Sequence, residues 1–585
     1  MKSVKKVLSL ILALMLLVSL AACNKGGSET EPTKATEAAS KLPAYLQVNK
    51  APLVTEDVTL RVAVLCDDVC TKPEDTWMYT YLKEVLGINV ELESYYKSTL
   101  AENISLMMAN GNLPDVMIGL GLNTVQLTRY GELEGLLLDL KPYLNEENAP
   151  NICALIDEQP LYIKSLTNDK GHVFSLGNYS ERIDNTGCMR MYYNYDIMDA
   201  AGVEKVPTTL DEFVDMLRTI KKYSDDNNLG IVPFGGNYAN YNPTCLILNA
   251  LGYNYSTSST TGCLENQIAL RDGEVVLTCY DKEAFPKYLE TMNTIYKEGL
   301  MEQDFYTQDK DTTKAHLSAD KYAVFSAVPG LYGGAEFGSE WWGGIPLTSE
   351  YNKKPFWPNY GYTSTGAYVV SADTKYPELC VALADWFFNV ENQKLVNFGP
   401  SVKQEDLFLG KTTGWYVNKD TMEYTYADYE NTKDSYESIL TYRQEKIGMW
   451  ANLSFYVAYE EINCDEDGNS LAEDFTLPEK DIMEQAAHRK DYNNFNDQWQ
   501  FAQQNTWGRY VTDEMSPIVC YFDQETTDRL ADLKTLIDEY ASQQIAKFIV
   551  GERPLSEVND YFKELAGLGA DEYVKIYADY FKAAK

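Results

Sequence analysis

Histidine is scarce in this sequence, and the common signatures of catalysis are missing. Only His172, His316 and His488 occur among the 585 residues, and they lack the spacing with which histidines bind a metal. The G-x-S-x-G, H-E-x-x-H and P-loop patterns are absent as well. The 87 acidic residues leave a catalytic carboxylate pair open, but nothing singles out a pair. We therefore predict a protein that is not an enzyme and that carries no metal or other cofactor.

Positive charge is also in short supply. The chain has 50 Lys and Arg residues against 87 Asp and Glu residues, which gives a net charge of −37. So acidic a protein repels nucleic acids and anionic lipid headgroups, and this charge argues more weakly against a polyanionic ligand. We expect no nucleic-acid partner. A local basic pocket inside an acidic protein is compatible with this charge.

Long apolar runs are missing, apart from one near the N-terminus. There MKSVKK supplies positive charge, and VLSLILALMLLVSL follows it as the apolar part of a secretory signal. The run ends at Leu20-Ala21-Ala22-Cys23, which resembles the bacterial lipobox, whose cysteine is diacylated and becomes the new N-terminus. We predict a lipoprotein signal peptide over 1–22, lipidation at Cys23 and a flexible, polar tether over 23–45. The alternative is an ordinary cleaved signal with an incidental cysteine.

Cysteine gives an ambiguous signal. Of the 11 cysteines, ten lie beyond Cys23, an even number that would permit disulfides outside the cell. Several stand alone in apolar segments: Cys188, Cys279, Cys380 and Cys520. A free thiol in such a place behaves as a small hydrophobic group. Cys66 and Cys70 are close enough in sequence to bridge. We favour mostly free thiols and leave the pairing open.

The order of the predicted elements favours an α/β fold. Strands are predicted over 58–65, 88–95 and 114–120, with a helix in each interval. This alternation is typical of βαβ units in a parallel sheet. Ligands of such sheets bind beyond the carboxyl ends of the strands, which predicts that 67–77 and 119–123 lie at a ligand-facing edge.

Two later helices have clear boundary signals. Thr209 and Glu212 form a capping box ahead of an apolar stripe that includes Phe213 and Leu217. The segment 523–551 keeps one apolar face and ends at a glycine, which predicts a long helix near the C-terminus.

Five separated segments carry further motifs: GNLPDVMIG, DKGHVFSLGNY, MYYNYDIMDAAGVEKVPTTLDEFVDML, IYKEGLMEQDF and AKFIVGERPLSEVNDYFKELAGLGADEYVKIYADYF. In this order they resemble the extracellular solute-binding proteins of family 1, the lipid-anchored receptors of Gram-positive ABC importers, mostly for sugars. His172 and Val173 depart from the family's D-G-K-x-Y-x-L-P turn. The last segment is similar to the closing helices of the family's long branch, so the likeness runs from Cys23 nearly to Lys585.

The resemblance implies an α/β fold of the two-lobed, periplasmic-binding-protein-like kind. Each lobe would be a largely parallel sheet flanked by helices, with additional C-terminal helices. We expect an N-terminal lobe over 46–187 plus about 367–405, and a C-terminal lobe over 188–366 plus about 406–515. Helices within 516–585 would brace the lobes. The chain would cross between lobes near 188–191 and 365–368, and a ligand that bridges both lobes would close them.

Sugar recognition combines an aromatic ring against the C–H face of the sugar with planar polar groups at its hydroxyls. The 44 tyrosines and 9 tryptophans suit this need, although most of these rings are expected in the core or on ordinary surface. In WWGGIPLTSEYNKKPFWPNYGY, over 341–362, the rings follow neither a helical nor a strand period, which favours loops that grip a ligand. The predicted ligand-binding residues are Trp77, Arg182, Arg190, Tyr238, Trp341, Trp342, Trp357, Tyr360 and Tyr362. Burial is the alternative for the rings, and structural ion pairs are the alternative for the arginines.

Two acidic stretches are incomplete versions of calcium loops. Some members of the resembled family carry such a loop after the capping-box helix, where this chain has SDDNNLGIVPF with Asp225 and Asp226. The second stretch, CDEDGNSLAEDF, begins at Cys464 and lacks the glycine and glutamate of an EF-hand loop. We predict turns at both places, the second a hairpin with Asp467-Gly468 at its tip. A degenerate site near Asp225 or Asp465 stays open.

The sequence-based hypothesis is a monomeric receptor on the extracellular face of the cytoplasmic membrane, attached through its lipid anchor only. It would capture an oligosaccharide by lobe closure and deliver it to the permease subunits of an ABC transporter. A receptor for a peptide or another small metabolite is one alternative. A surface polysaccharide hydrolase or adhesin is another.

Overall fold

The structure is a computed structural model, and it describes most of the chain. The described residues are 42–66, 72–181, 191–255, 265–326, 340–359, 364–420, 423–436, 438–448, 457–459, 464–471, 474–482, 484, 500–515 and 520–584. Within these ranges, none of the helices combines the length and the apolarity that crossing a membrane requires.

Helices and short strands alternate along the described chain. The strands are β1 Val58–Cys66, β2 Ile88–Tyr96, β3 Val116–Ile118, β4 Tyr179–Ser180, β5 Tyr192–Asn194, β6 Val232–Phe234, β7 Asn254–Tyr255, β8 Ile268–Arg271, β9 Glu274–Leu277, β10 Tyr322–Phe325, β11 Trp341–Gly343, β12 Trp357–Asn359, β13 Tyr368–Val370, β14 Trp415–Asn418, β15 Glu423–Tyr426, β16 Val457–Ala458 and β17 Val511–Met515. The α-helices are α1 Trp77–Glu84, α2 Leu100–Asn110, α3 Thr124–Leu127, α4 Pro150–Glu158, α5 Pro160–Leu166, α6 Tyr195–Ala201, α7 Leu210–Asn227, α8 Thr244–Ala250, α9 Phe285–Lys297, α10 Lys310–Ser318, α11 Pro377–Phe387, α12 Val390–Phe398, α13 Ala427–Thr432, α14 Ile439–Lys446, α15 Glu479–Ile482, α16 Gln524–Val550, α17 Val558–Gly567 and α18 Ala570–Ala584.

The first sheet has the order β13-β3-β1-β2. Strand β1 lies parallel to β2, with Val58 opposite Ile88 and Cys66 opposite Tyr96, and it is also parallel to β3. Strand β1 is central and mostly buried, because helices cover both faces of a sheet built from βαβ units. The predicted parallel βαβ arrangement is confirmed. We call the elements that pack around this sheet the first lobe.

The second sheet has the order β11-β5-β10-β6. Strands β6 and β10 are parallel, whereas β5 runs antiparallel to both β10 and β11. Helix α7 covers this sheet, and its predicted capping box is confirmed. The Thr209 hydroxyl accepts from the Glu212 amide at 3.2 Å, and the Glu212 carboxylate accepts from the Thr209 amide at 3.2 Å. We call the elements around this sheet the second lobe. The predicted α/β fold class is confirmed.

Strand β13 returns the chain to the first lobe by a close backbone contact. The amide of Gly119 donates to the carbonyl of Ala367 at 2.7 Å, and the amide of Gly121 donates to the carbonyl of Gly366 at 3.0 Å. Gly366 has a φ of +67°, and a Cβ atom there would lie 2.1 Å from the carbonyl oxygen of Leu122. Only glycine fits both the conformation and the space.

The segment that follows α12 stays with the first lobe. The amide of Met78 donates to the carbonyl of Ile447 at 3.1 Å. The indole of Trp415 donates to the carbonyl of Gly399 at 3.1 Å, and β16 pairs with β4. These residues fall within the range of about 406–515 that was predicted for the second lobe, and the later part of that range, with Phe501 and Tyr510, is buried in the cluster around the second sheet. The exact lobe boundaries stay predictions.

Helices α16 to α18 complete the core of the second lobe. Leu533, Ile545 and Phe548 of α16 are buried in the same cluster as Leu289 and Met292 of α9. Helix α16 ends at Gly551, which has a left-handed conformation with φ +85°, as the sequence predicted. Just before α16, the Tyr521 hydroxyl donates to the carbonyl of Leu166 in the first lobe at 3.2 Å. This contact is compatible with the bracing role, which stays a prediction.

Several described cysteines carry free thiols: Cys153, Cys279, Cys380, Cys464 and Cys520. Burial raises the pKa of the Cys153 thiol to about 11, and burial also raises the pKa of the Cys380 thiol. A raised pKa keeps a thiol protonated and unreactive, because the thiolate is the nucleophile. Cys70 and Cys188 lie outside the described residues.

Candidate ligand-binding edges of the two lobes

The first candidate edge lies where strands β2 and β3 end. Tyr96 closes β2 and is 44% exposed. After β3, Asn123 begins helix α3 through a reciprocal capping box. The Asn123 side-chain oxygen accepts from the Gln126 amide at 3.0 Å, and the Gln126 side-chain oxygen accepts from the Asn123 amide at 3.0 Å. The predicted segment 119–123 therefore ends in a fixed turn beside β13.

The second candidate edge lies where β6 ends. Gly235 follows the strand directly beneath Tyr322, since a Cβ atom at Gly235 would lie 2.1 Å from that ring. Gly236 has a φ of +137°, and a Cβ atom there would lie 2.3 Å from the carbonyl of Tyr241. Both glycines let the chain turn sharply within 237–241, which we call the β6 turn. The β6 turn presents Tyr238, Ala239 and Asn240 with partly or fully exposed side chains.

Tyr238 is the sequence-predicted ring that the structure places at such an edge. It is half-buried, and its amide donates to the carbonyl of Phe305 at 2.9 Å. Its ring packs edge-on against Phe305 at 5.9 Å and tilted against Tyr306 at 5.2 Å between centroids. Aromatic packing of this kind holds the ring in one orientation while part of it stays accessible. Contact between Tyr238 and a ligand stays a prediction.

Most of the residues at the two edges are uncharged, although Glu93 and Lys97 flank the end of β2. Residues 95–96, 119–123 and 235–242 include tyrosines, asparagines and glycines but no charged side chain. Burial, followed by the nearby Glu93 carboxylate, raises the pKa of Tyr95, so its hydroxyl stays protonated and donates to Glu93 at 3.2 Å. Hydroxyls and amides of this kind both donate and accept hydrogen bonds. The arrangement suits a neutral, hydroxyl-rich ligand.

Trp341 and Trp342 lie on strand β11 rather than on a loop. They are 3% and 1% exposed, and their side chains enter different clusters on the two faces of the sheet. Trp341 packs with Tyr192 and Trp507, and Trp342 packs edge-on against Phe501 at 5.1 Å. The expectation that this stretch lacks a strand period and stands on loops is therefore corrected. Alternation on a strand sends neighbouring rings to opposite faces.

Trp357 and Trp77 are buried as well. The Trp357 indole, 1% exposed, donates to the carbonyl of Thr506 at 2.7 Å. The Trp77 indole, 0% exposed, donates to the carbonyl of Leu407 at 2.6 Å. The N–H group of each indole is thus already hydrogen-bonded to the backbone of the protein. The predicted ligand contacts of the four tryptophans are untested, and their burial favours a role in packing.

The other predicted site residues lie outside the described part of the chain: Cys23, Arg182, Arg190, Tyr360 and Tyr362. The polar residues that the sequence-based prediction did not single out are Asn123, Asn237 and Asn240. Their signal was present, because each lies in a glycine-rich segment, and Asn123 follows the strand predicted over 114–120 by a few residues. In the structure, asparagine side chains as well as the Tyr238 ring lie at the two edges.

The two acidic stretches form turns held by protein groups. Asp225 and Asp226 pair with Lys221 and Lys222 one helical turn earlier in α7. Hydrogen bonds from the Asn469 side chain are the largest cause that lowers the pKa of Asp465. As predicted, this second stretch is a hairpin, closed by a bridge between Cys464 and Ser470. Across the described ranges, no three His, Cys, Asp or Glu side chains are grouped so that they could hold a metal ion.

Two α/β lobes, each with a candidate ligand-binding edge where its strands end, are typical of the class of two-lobed binding proteins. The chain belongs to the family of bacterial extracellular solute-binding proteins, because residues 76–404, more than half of its length, match that family. The predicted family is confirmed.

The relative FusA, whose name gives a ligand class, has low sequence identity to this chain. The fructooligosaccharide ABC transporter substrate-binding protein FusA of Streptococcus pneumoniae is 23% identical over 262 residues, which cover 43% of this chain and 46% of FusA. The alignment thus spans less than two thirds of that relative.

Solved structures support the fold over most of the chain. FusA of S. pneumoniae in complex with kestose has a TM-score of 0.64 at 18% identity, covering 90% of this chain and 100% of FusA. An extracellular solute-binding protein from Bifidobacterium longum subsp. infantis has a TM-score of 0.68 at 17% identity, covering 90% of this chain and 98% of that protein.

Proposed function

We propose that the protein is a lipid-anchored extracellular receptor that captures an oligosaccharide and delivers it to the permease of an ABC transporter. The observation that carries the ligand class is the β6 turn, which offers the Tyr238 ring and the Asn240 amide at a neutral edge. A sugar needs one apolar face to stack on and several planar polar groups, and this turn supplies both. The names of the distant FusA relatives, which bind fructooligosaccharides, agree with this choice.

Binding would work by lobe closure without bond chemistry. A ligand that contacts the first edge near Asn123 and the second edge near Tyr238 interacts with both lobes only in the closed state. It therefore shifts the population toward closure by its differential affinity for that state. The arginines at 182 and 190 and the rings at 360 and 362 stay proposed contacts in the same site. We propose a monomer that has no catalytic activity.

A ligand screen by thermal unfolding tests the ligand class. We expect neutral oligosaccharides to raise the melting temperature of the purified protein in proportion to the logarithm of their concentration, since a ligand that binds only the folded state stabilises it by about 2.7 kcal/mol at 100 times Kd. Acidic oligosaccharides and peptides complete the panel. Stabilisation by peptides but by no sugar would reject the proposal in favour of a peptide receptor. Hydrolysis of the sugar would show an enzyme instead.

Variants locate the site once a sugar is found. Tyr238→Ala is expected to weaken sugar binding about tenfold or more, because one stacking ring is lost. Tyr351→Ala is the matched control, since Tyr351 is also half-buried against the core of the second lobe but lies beside Gly252, beyond the far end of α8. Calorimetry would report both affinities. Equal losses in the two variants would place the sugar elsewhere.

Fractionation tests the anchor. The wild-type protein is expected in the detergent phase of a membrane extract, because diacylation at Cys23 supplies two acyl chains. Cys23→Ala is expected in the medium or in the aqueous phase. Release of the wild-type protein from washed cells without detergent would contradict lipid anchoring, and it would leave the ligand class unaffected.

A further inference from the structure

The Asn237 side chain connects the β6 turn to helix α10. Asn237 is 0% exposed. Its side-chain nitrogen donates to the Thr313 hydroxyl at 2.6 Å, and its side-chain oxygen accepts from the backbone amide of Asn240 at 2.9 Å. The backbone amide of Asn237 also donates to the carbonyl of Tyr241 at 3.1 Å, and this bond closes the turn. One side chain thus shapes the turn and attaches it to a helix.

Thr313 uses the full hydrogen-bonding capacity of its hydroxyl. It is 0% exposed on α10. The hydroxyl donates to the carbonyl of Asp309 at 3.1 Å and accepts from the side-chain nitrogens of Asn237, at 2.6 Å, and Gln308, at 2.8 Å. A hydroxyl has one donor and two lone pairs, so no further partner fits. Loss of this hydroxyl would leave the buried side-chain nitrogen of Asn237 without its acceptor, and the half-buried Gln308 nitrogen would keep only its bond to Tyr322.

A chain of hydrogen bonds behind Thr313 connects it through Gln308 and Tyr322 to Glu302. Burial, the largest influence, raises the pKa of Tyr322, and its protonated hydroxyl lies 3.1 Å from the Glu302 carboxylate, to which it donates, and 3.2 Å from the His316 ring nitrogen. The Tyr322 oxygen is then an acceptor for the Gln308 side-chain nitrogen at 3.0 Å. The same nitrogen donates its second hydrogen to Thr313.

The direction of one hydrogen bond determines how the side-chain amide of Asn237 is oriented. The backbone N–H of Asn240 can only donate, and it donates to the side-chain oxygen of Asn237. The Asn237 nitrogen must therefore face Thr313, and its oxygen must face the amide of Asn240. If the side-chain amide of Asn237 were flipped, its nitrogen would face the backbone N–H of Asn240, so two donors would meet there. The hydrogen bond from the Asn237 nitrogen to Thr313 would also be lost. The relay thus holds the β6 turn in one conformation.

We propose that Asn237, locked by Thr313, is a positioning residue that sets ligand affinity without touching the ligand. This inference rests on the proposed function, since it assigns a ligand-reading role to Tyr238 and Asn240. A turn that is already ordered loses little conformational freedom when the ligand binds, whereas a mobile turn loses more and binds more weakly. Thr313 lies on α10, behind the edge, so the effect is transmitted through the bond to Asn237.

The first experiment compares two substitutions of one residue. Thr313→Val keeps the shape and removes the hydroxyl, whereas Thr313→Ser keeps the hydroxyl. Hydrogen–deuterium exchange of the full protein without ligand is expected to show faster exchange at the backbone amides of Asn237 and Asn240 in Thr313→Val, by about tenfold or more. Thr313→Ser is expected to behave like the wild type. Gln308→Met, at a half-buried position, provides a second test with the same expected direction should Thr313→Val fold poorly.

The second experiment measures affinity for the oligosaccharide that gives the largest thermal shift. Thr313→Val is expected to bind it about tenfold more weakly, and Thr313→Ser is expected to restore binding. Ser224→Ala is the matched control. It removes another buried hydroxyl of the second lobe, which accepts from the Ile231 amide at 2.8 Å ahead of β6, so it should lower the melting temperature but keep affinity.

The outcomes separate this inference from the proposed function. Unchanged exchange at Asn240 in both Thr313→Val and Gln308→Met would overturn the positioning role, whichever ligand binds. An equal loss of affinity in Ser224→Ala would overturn it as well, because general destabilisation would then explain the effect. If no oligosaccharide binds the wild-type protein, the proposed function fails, while the exchange experiment still decides whether Asn237 and Thr313 order the turn.

Discussion

The indole nitrogen of Trp357 donates a 2.7 Å hydrogen bond to the carbonyl oxygen of Thr506. Strand β12, which carries Trp357, also pairs with β17, so two distant parts of the second lobe meet at this ring. Trp357→Ala is expected to lower the free energy of unfolding by about 3–5 kcal/mol, because a large buried side chain is replaced by a cavity.

Urea unfolding and calorimetry together test the Trp357 prediction. Trp357→Phe keeps most of the volume but loses the N–H donor, so a smaller loss of stability is expected, roughly 1–3 kcal/mol. Ligand affinity should change little in Trp357→Phe. Full stability combined with a large loss of affinity would instead support the ligand contact predicted from the sequence.

Gly366→Ala is expected to destabilise the protein more than Gly111→Ala. Both glycines have a φ of +67°, so both substitutions place an alanine in the left-handed range of φ. They differ in space, because a Cβ atom at Gly366 would lie 2.1 Å from the carbonyl oxygen of Leu122, whereas nothing lies within 4 Å of one at Gly111.

Thermal unfolding of these two variants isolates the steric term. We expect Gly111→Ala to cost about 1 kcal/mol and Gly366→Ala several-fold more, since β13 must move away from the loop that follows β3. Equal melting temperatures for the two variants would mean that the backbone contact between Gly366 and Leu122 yields easily.

Glu132 is expected to make stability depend on pH in the acid range. Burial alone would raise its pKa, but hydrogen bonds from Lys170, His172 and Asn168 outweigh burial and lower the pKa from 4.5 to about 2. As the pH falls, the unfolded chain therefore binds the proton first. The contribution of Glu132 is complete above pH 4.5 and is lost progressively toward pH 2.

A pair of isosteric variants tests this pH dependence. Glu132→Gln is expected to be less stable than the wild type at pH 7, with a difference that shrinks as the pH is lowered below 4.5. Glu134→Gln is the control, because its ion pair with Arg129 is more exposed and should contribute little at any pH. A difference for Glu132→Gln that stays constant down to pH 3 would contradict the lowered pKa.

Removal of calcium is expected to leave stability unchanged. Asp225 and Asp226 already pair with Lys221 and Lys222, and the turn after α7 is closed by Asn228 in a left-handed conformation. Protein groups therefore supply the charge balance that a cation would supply elsewhere. Differential scanning calorimetry with EDTA and with added Ca²⁺ checks this, and a rise in melting temperature with Ca²⁺ would reveal a site.

Local signals allowed much of the fold to be predicted. The strands around 58–120 and the capping box at Thr209 depend on neighbouring residues, and the structure has them where the sequence placed them. The tryptophans depend on distant residues. Trp357 and Thr506 are 149 residues apart, and Trp77 and Leu407 are 330 residues apart, so no local pattern reveals that these rings are covered.

The candidate edges were only partly predictable for the same reason. The segment 119–123 follows a strand and could be placed at an edge from sequence order. The role of Asn237 depends on Thr313, which is 76 residues away, and on the direction of its hydrogen bond with the backbone of Asn240. Such directions follow from which groups are buried together, and burial is a property of the assembled fold.

The packing of α16 and α18 has a consequence for the order of synthesis. The core of the second lobe contains Met191 from its first strand region and Tyr573 from the last helix, so its residues come from widely separated parts of the chain. A nascent chain can finish the first sheet once Val370 has emerged. Leu289 and Met292, however, stay uncovered until α16 arrives. A ribosome stalled before Gln524 would therefore hold a chain in which the first sheet is complete, whereas the core of the second lobe still lacks the side chains of α16.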